Sequence, residues 1–253
     1  LGEQAQLKRG ERILIQSAAG GVGLAAVQYA QSVGAEIFAT ASKPKHEYLR
    51  SLGIQHVSTS RDAEVFAVEM SEMVGERGVD VVLNSLTSGN YVENAVKLLA
   101  PGGRFIELGK RNIWSAAQMA GRRPDVQYET HSLNEMLPEQ PGRLAPMLRA
   151  LAGEAEAGRA HPLPMKVFDM RKDLVGAFQW LREGRAIGKV VVTVDRPSLS
   201  DLGVVVITGG LGGLGLVTAE ACAELGARAV VLVSRSGRVK HAGQDLEERL
   251  QRL

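Results

Sequence analysis

The chain has 253 residues, 45% of them hydrophobic, enough to bury the core of one large domain or two smaller ones. Lysine and arginine number 30 against 28 acidic residues, a formal charge of +2 with no dense basic run, which argues against nucleic acid and favours small anionic ligands held by individual cations. Cys222 is the sole cysteine, so an internal disulfide and a zinc site built of several thiolates are excluded, and no apolar run approaches the ~20 residues of a membrane span.

A globular, unanchored chain of the reducing cytoplasm is therefore expected; residues 1–4 begin no signal peptide. The missing initiator Met and the end at Gln251-Arg252-Leu253, inside a charged helical stretch, point to a fragment of something longer.

In chain order, Glu11 to Gln16 reads as a short buried strand, and Leu24, Val27 and Ala30 give the next segment a helical apolar face. Strands follow at Glu36–Thr40 and Gln55–Ser58, with a helix at Lys45–Leu52 between them. A further strand at Val79–Leu83, a helix at Tyr91–Leu99 and a strand from Arg104 to Lys110 continue the alternation. This order predicts an α/β fold with a doubly wound parallel (Rossmann) sheet. Prolines at 124, 138, 141 and 146 break any period between Arg111 and Pro146, which reads as a lid or crossover. Two amphipathic helices then follow: Leu144, Met147, Leu148 and Leu151 recur at helical spacing, as do Leu174, Ala177, Phe178 and Leu181. A strand from Gly188 to Val194 closes this part, and a linker with Pro197 leads to a second strand, glycine turn and helix from about Gly203.

The two glycine turns share one internal register. Gly20, Gly21 and Gly23 open a helix that Gly34-Ala35 closes, and the next strand ends at Ser42-Lys43; Gly212, Gly213 and Gly215, Gly226-Ala227 and Ser234-Arg235 repeat this with an offset of 192 (212 − 20). A strand running into glycines and a helix aims backbone N–H groups and the positive end of the helix dipole at a pyrophosphate. An acid at the end of the second strand would accept from a ribose 2′-hydroxyl, and neither unit has one. Ser42, Lys43 and Lys45, and Ser234 with Arg235, offer a hydroxyl and cations instead, which suit the 2′-phosphate of NADPH.

Five segments together resemble the enoylreductase domain of modular polyketide synthases, within the zinc-independent medium-chain dehydrogenase/reductases. They are Ser17 to Gln28, Ala39 to Ser42, Gly78 to Leu86, Gly102 to Phe105 and Ile187 to Val191. Thr208 to Gly215 with Val231 to Gly237 is similar to the start of a ketoreductase domain, which follows the enoylreductase in such synthases. The resemblance implies an enoylreductase over 1–196, mainly its Rossmann domain, with 164–194 returning towards a substrate-binding β domain whose tail alone is included. It further implies a linker at 197–202 and a truncated ketoreductase Rossmann unit at 203–253.

The implied activity is transfer of hydride from NADPH to the β-carbon of an enoyl thioester on an acyl carrier protein, with protonation at the α-carbon, among neighbouring synthase domains. The implied cofactor residues are Gly20, Gly21, Val22, Gly23, Ser42, Lys43, Lys45, Ser60, Arg61, Asn84, Ser85 and Gly109, with Gly209, Gly213, Leu214, Gly215, Ser234 and Arg235 in the second unit. The implied proton donor is Lys110. The family's usual second residue, an Asp, maps to Ser132, so that Lys110, water or His131 protonates, or the function is altered. A silent NADPH-binding or structural module, a scaffold diverted to reductive ring closure and a free-standing quinone reductase remain alternatives. The second unit ends before any Tyr-x-x-x-Lys pair, so ketoreduction by this chain alone is not expected.

Overall fold

Arg12–Ile15 is buried on both faces because its side chains alternate between two cores, Ile13 and Ile15 in one and Leu14 in the other. In the computed structural model, which describes residues 1–132, 138, 141–194, 203–239 and 245–253, this strand is the centre of a six-stranded sheet. The strands are β1 (Arg12–Ile15), β2 (Glu36–Ala41), β3 (His56–Thr59), β4 (Val79–Asn84), β5 (Leu99–Glu107) and β6 (Gln127–Thr130). They lie in the order β3-β2-β1-β4-β5-β6 and all pair in parallel. The fold is the Rossmann doubly wound sheet that the alternation predicts.

Helices α1 (Gly21–Val33) and α2 (His46–Ser51) cover one face through Leu24, Val27, Ala30 and Leu49. The other face is covered by α3 (Ala63–Val74), α4 (Tyr91–Lys97) and α5 (Ala116–Arg122), through Phe66, Met70, Tyr91, Val92 and Met119. Each wholly buried side chain of this size contributes about 1.5–3 kcal/mol.

Two of these helices depart from the pattern reading. No element was expected over Ala63–Val74, yet Asp62 caps it, its Oδ1 accepting from the N–H groups of Glu64 and Val65, and Phe66, Met70 and Val74 form its buried stripe. Within the segment read as lid or crossover, Ser115 and Gln118 form a reciprocal capping box that starts α5, and β6 adds an edge strand. Pro101-Gly102-Gly103 sits in an irregularity of β5: Val79 pairs with Leu99, but Val81 pairs with Arg104.

Further along, α6 (Pro141–Glu156) and α7 (Met170–Arg182) are helical as expected, the latter interrupted at Asp173, whose Oδ1 accepts from Gly176 N–H. Of the apolar residues that recur at helical spacing, Met147, Leu148, Leu151, Phe178 and Leu181 are exposed and Ala177 is buried. Strands β7 (Met165–Asp169) and β8 (Lys189–Thr193) pair as a two-stranded sheet. The linker expected at 197–202 lies outside the described residues.

Contacts divide the chain into two compact units, one of Leu1–Phe168 and Lys172–Val192, the other of Asp169–Arg171 and Thr193–Leu253. The second contains β9 (Val204–Thr208), α8 (Gly213–Glu224), β10 (Ala229–Val233) and α9 (Leu246–Arg252), with β9 and β10 parallel. Val204, Val206, Val231 and Val233 stay exposed, as a two-stranded sheet cannot cover both its faces. Among the described residues no helix is long and apolar enough to cross a membrane.

Candidate functional site

In the strand order, chain direction across the sheet reverses between β1 and β4, and a parallel sheet takes ligands in the crevice beyond the carboxyl ends at such a point. The turn after β1 is tightly specified. Ser17 takes a left-handed conformation (φ 52°), its N–H donating to Thr40 Oγ1, and Gly20 N–H returns to the Ser17 carbonyl at 2.9 Å. Helix α1 starts directly after Gly20 and packs so closely that a methyl at Gly23 would lie 2.5 Å from the Ser17 oxygen and 2.6 Å from Ala18 Cα. Val22 is 60% exposed on the first turn.

Beside the turn lies a cavity of about 190 Å³ lined by Ser17, Ala19, Gly20, Ala41, Ser42, Lys45, Ser60, Arg61 and Leu86. Of the residues expected to hold the cofactor, Gly20, Ser42, Lys45, Ser60 and Arg61 therefore meet around one space. Burial first, and then the adjacent Arg61 guanidinium, hold the Lys45 ammonium below its usual range, and its Nζ donates to Ala186 O at 2.6 Å. No carboxylate lines this cavity.

Two expected residues stand elsewhere. Lys43, in the short turn before α2, is exposed and borders a separate depression with His46, Glu47, Arg50, Glu69 and Glu72. Asn84, among the cofactor residues that the resemblance implies, is completely buried, its Nδ2 donating to Glu107 Oε2 at 2.6 Å. Ser85 stays at the strand end, its N–H and Oγ both turned to Gln16.

Glu107 is the residue the pattern reading missed. It ends β5 with no exposed surface, and its Oε1 accepts Gly109 N–H at 2.6 Å. Burial pushes its pKa up, against the hydrogen bonds from Gly109 and Asn84, which favour the ion. Burial, and secondarily this carboxylate, push the Tyr128 phenol up to about 12. A buried glutamate inside a run reading as an apolar strand was the available signal. It fixes the turn that presents Lys110, which is exposed just past the carboxyl end of β5. Gly109 leaves room there for Thr87 and the Glu107 carboxylate. Ser132 lies two residues past the end of the neighbouring β6, partly buried, and His131 N–H donates to the Glu107 carbonyl at 2.8 Å. Lys110 and Ser132 thus stand at adjacent strand ends on the same edge of the sheet.

The second glycine turn repeats the first. Gly209 is left-handed (φ 71°), Gly212 N–H returns to the Gly209 carbonyl at 3.0 Å, and a methyl at Gly215 would lie 2.6 Å from Gly210 Cα. Gly213 begins α8, Leu214 is 83% exposed, Ser234 Oγ accepts Gly237 N–H, and Arg235 is exposed.

The order of the sheet and the glycine turn at its reversal define a Rossmann domain of the dinucleotide-binding kind. A family model described as zinc-binding dehydrogenase matches residues 21–132, and one described as KR domain matches residues 203–253. The spectinabilin polyketide synthase system protein NorB of Streptomyces orinoci is 41% identical over 98% of this chain and 11% of its own length. Among solved structures, the CurF ER cyclopropanase of the curacin A biosynthetic pathway is 46% identical with a TM-score of 0.74, the match covering 77% of this chain and 58% of that one. The nucleotide-binding subdomain of the enoylreductase domain of PpsC from Mycobacterium tuberculosis is 41% identical with a TM-score of 0.57, covering 63% of this chain and 89% of that one.

The chain belongs to the enoyl reductase family of polyketide synthases, and the start of a ketoreductase domain follows its enoyl reductase part. It spans about a tenth of the curated relative it matches. Among the described residues no group of three or more His, Cys, Asp or Glu stands together to hold a metal.

Proposed function

We propose that this chain carries the NADPH-dependent reduction of an α,β-unsaturated acyl thioester, presented on an acyl carrier protein, within a cytoplasmic polyketide synthase. The observation that carries the reading is the cavity at the glycine turn, where Ser42, Lys45, Ser60 and Arg61 line a wall free of carboxylate, on the same sheet edge as Lys110. The residues present fit the cofactor: Gly20, Gly21 and Gly23 allow close approach of a pyrophosphate, and Lys45 with Arg61 matches a 2′-phosphate. When bound, NADPH supplies the hydride for the β-carbon of the substrate.

Lys110 holds the proton for the α-carbon at its Nζ and regains one from solvent, to which it is open. Glu107, through Gly109 N–H, orients the turn that carries it. Ser132 offers a hydroxyl where the family's usual Asp would stand, and a hydroxyl supplies neither the charge nor the acidity of a carboxyl group. Domain bounds of 1–196, 197–202 and 203–253 belong to this reading, with the neighbouring synthase domains as partners.

Stopped-flow NADPH oxidation with a crotonyl thioester in the intact synthase subunit, followed by product mass, tests it. A saturated thioester formed with one NADPH supports the proposal. No turnover with the cofactor bound would defeat it, and a ring-closed product would assign the scaffold to chemistry of the kind named for the CurF protein.

A further inference from the structure

A second cavity, of about 500 Å³, shares Ser42, Lys45 and Arg61 with the cavity at the glycine turn. Its other wall comes from beyond the Rossmann sheet, from the end of α7 and the connection to β8: Trp180, Arg182, Glu183, Gly184, Arg185 and Ile187. Four cations, Lys45, Arg61, Arg182 and Arg185, face one carboxylate, Glu183. Such an excess around a concave space is what an anion of more than one charge requires.

The connection is held in place. Arg185 lies over the Trp180 ring with its guanidinium carbon 4.3 Å from the centroid, and its backbone N–H donates to the Trp180 carbonyl. Lys45 bonds the carbonyl of Ala186, and Gly188 N–H donates to Ala19 O at 2.9 Å, in the glycine turn itself. Gly184, at φ 66°, has no side chain where the Arg61 guanidinium passes; any Cβ there would collide with it. Stacking removes rotamers that a free arginine would lose on binding, so Arg185 is prepared for a ligand before one arrives. Pro44, Trp180 and Ile187 add apolar surface suited to a purine.

We propose that the connection Trp180–Ile187 forms the outer wall of the adenosine 2′-phosphate site, with Arg185, set by Trp180, and Arg61, admitted by Gly184, selecting the phosphorylated ribose over the plain one. The inference rests on the NADPH-dependent reading above and adds residues from the far side of the fold to those at the ends of β2 and β3.

Calorimetric titration with 2′,5′-ADP, NADPH and NADH tests it without any turnover. Arg185→Ala should weaken 2′,5′-ADP and NADPH roughly tenfold and leave NADH within about twofold, since a hydrogen bond to a charged group is lost. Arg185→Lys should restore only part, as the charge returns without the stacked fork. Glu183→Gln, which removes the carboxylate bound to Arg185 at 3.1 Å, should tighten 2′,5′-ADP about twofold. Lys45→Ala locates the signal and should also lose 2′,5′-ADP. If Lys45→Ala loses it while Arg185→Ala keeps wild-type affinity and NADPH preference, the inference is overturned and the cofactor reading stands. If wild-type protein binds neither NADPH nor 2′,5′-ADP, or Lys45→Ala is unchanged, both fall.

Discussion

Gly23→Ala sets backbone packing at the cofactor turn against helix propensity. The added methyl would stand 2.5 Å from Ser17 O, 2.6 Å from Ala18 Cα and 2.7 Å from Ala18 C, all backbone atoms of a turn pinned by Thr40 and Gly20. Overpacking of this kind costs about 1–3 kcal/mol, and with no flexible neighbour to yield the upper end applies. Alanine in a helix returns up to about 1 kcal/mol, leaving a net loss of about 2 kcal/mol, or a fall in Tm of about 4–8 °C for a unit of this size. Gly21→Ala is the matched control. Its methyl meets only the end of the Lys189 side chain, with Cε at 2.7 Å and Nζ at 2.9 Å, which can swing away. No loss, or a small gain in stability, is expected. Thermal unfolding followed by circular dichroism, with NADPH binding measured on the same samples, decides the matter. Equal Tm for Gly23→Ala and wild type, or a Gly21→Ala variant less stable than Gly23→Ala, would refute the packing argument.

Lys110→Ala should lower turnover by at least about 10²-fold, the low end for loss of a general acid, with the Kd for NADPH unchanged; unchanged rate and unchanged protonation stereochemistry would remove Lys110 from the mechanism. Glu107 gives a pH signature. Its folded-state pKa is raised by burial, so the native state binds more protons than the unfolded one across that window, and stability falls as pH rises from the ordinary carboxylate range through the folded pKa. Glu107→Gln should flatten this part of a Tm-against-pH profile, and parallel profiles would show that the carboxylate does not titrate there. Arg104→Ala removes the 2.6 Å pair with Glu11 and the bond to Ala5 O, both largely sheltered, and should cost about 1–3 kcal/mol in urea unfolding; a loss below about 0.5 kcal/mol would class the pair with ordinary surface bridges.

The sheet was legible because its strands are short apolar runs set off by glycines and prolines, and β2 was read to within one residue of its observed end at Ala41. Helix α3 was not, since Glu64, Glu69 and Glu72 dilute its apolar stripe to Phe66, Met70 and Val74, a repeat of four that reads weakly without its neighbours. The apolar spacing of α7 was read correctly as helical but not as exposed, because periodicity records which residues share a face and not what that face meets. At the site, Ser42 and Lys45 followed from chain position at a strand end, whereas Ser60 and Arg61 came only with the family resemblance. Glu107 and the wall at Trp180–Arg185 came with neither: a buried acid depends on partners 23 residues away at Asn84, and the wall depends on contacts such as Lys45 with Ala186, separated by 141 positions.

The repeated register of the two glycine turns has a geometric cause. The carbonyl of Ser17 in one turn and of Gly209 in the other receives an N–H three residues on, and the helix N–H groups of Leu24 and Leu216 return to Gly20 and Gly212. At the helix ends, Ala35 N–H bonds Ala30 O and Ala227 N–H bonds Cys222 O, each at 2.9 Å. A helix that must pack this closely on the turn behind it allows glycine alone at 23 and 215, and a helix of fixed length between two parallel strands fixes where the closing glycine falls. The shared offset therefore follows from the common dinucleotide-binding geometry and need not record a duplication. The places where geometry leaves freedom already differ: the left-handed residue is Ser17 in the first turn and Gly209 in the second, and the second strand leads to Ser42 on a cavity wall in one and to Ser234 capping its own turn in the other.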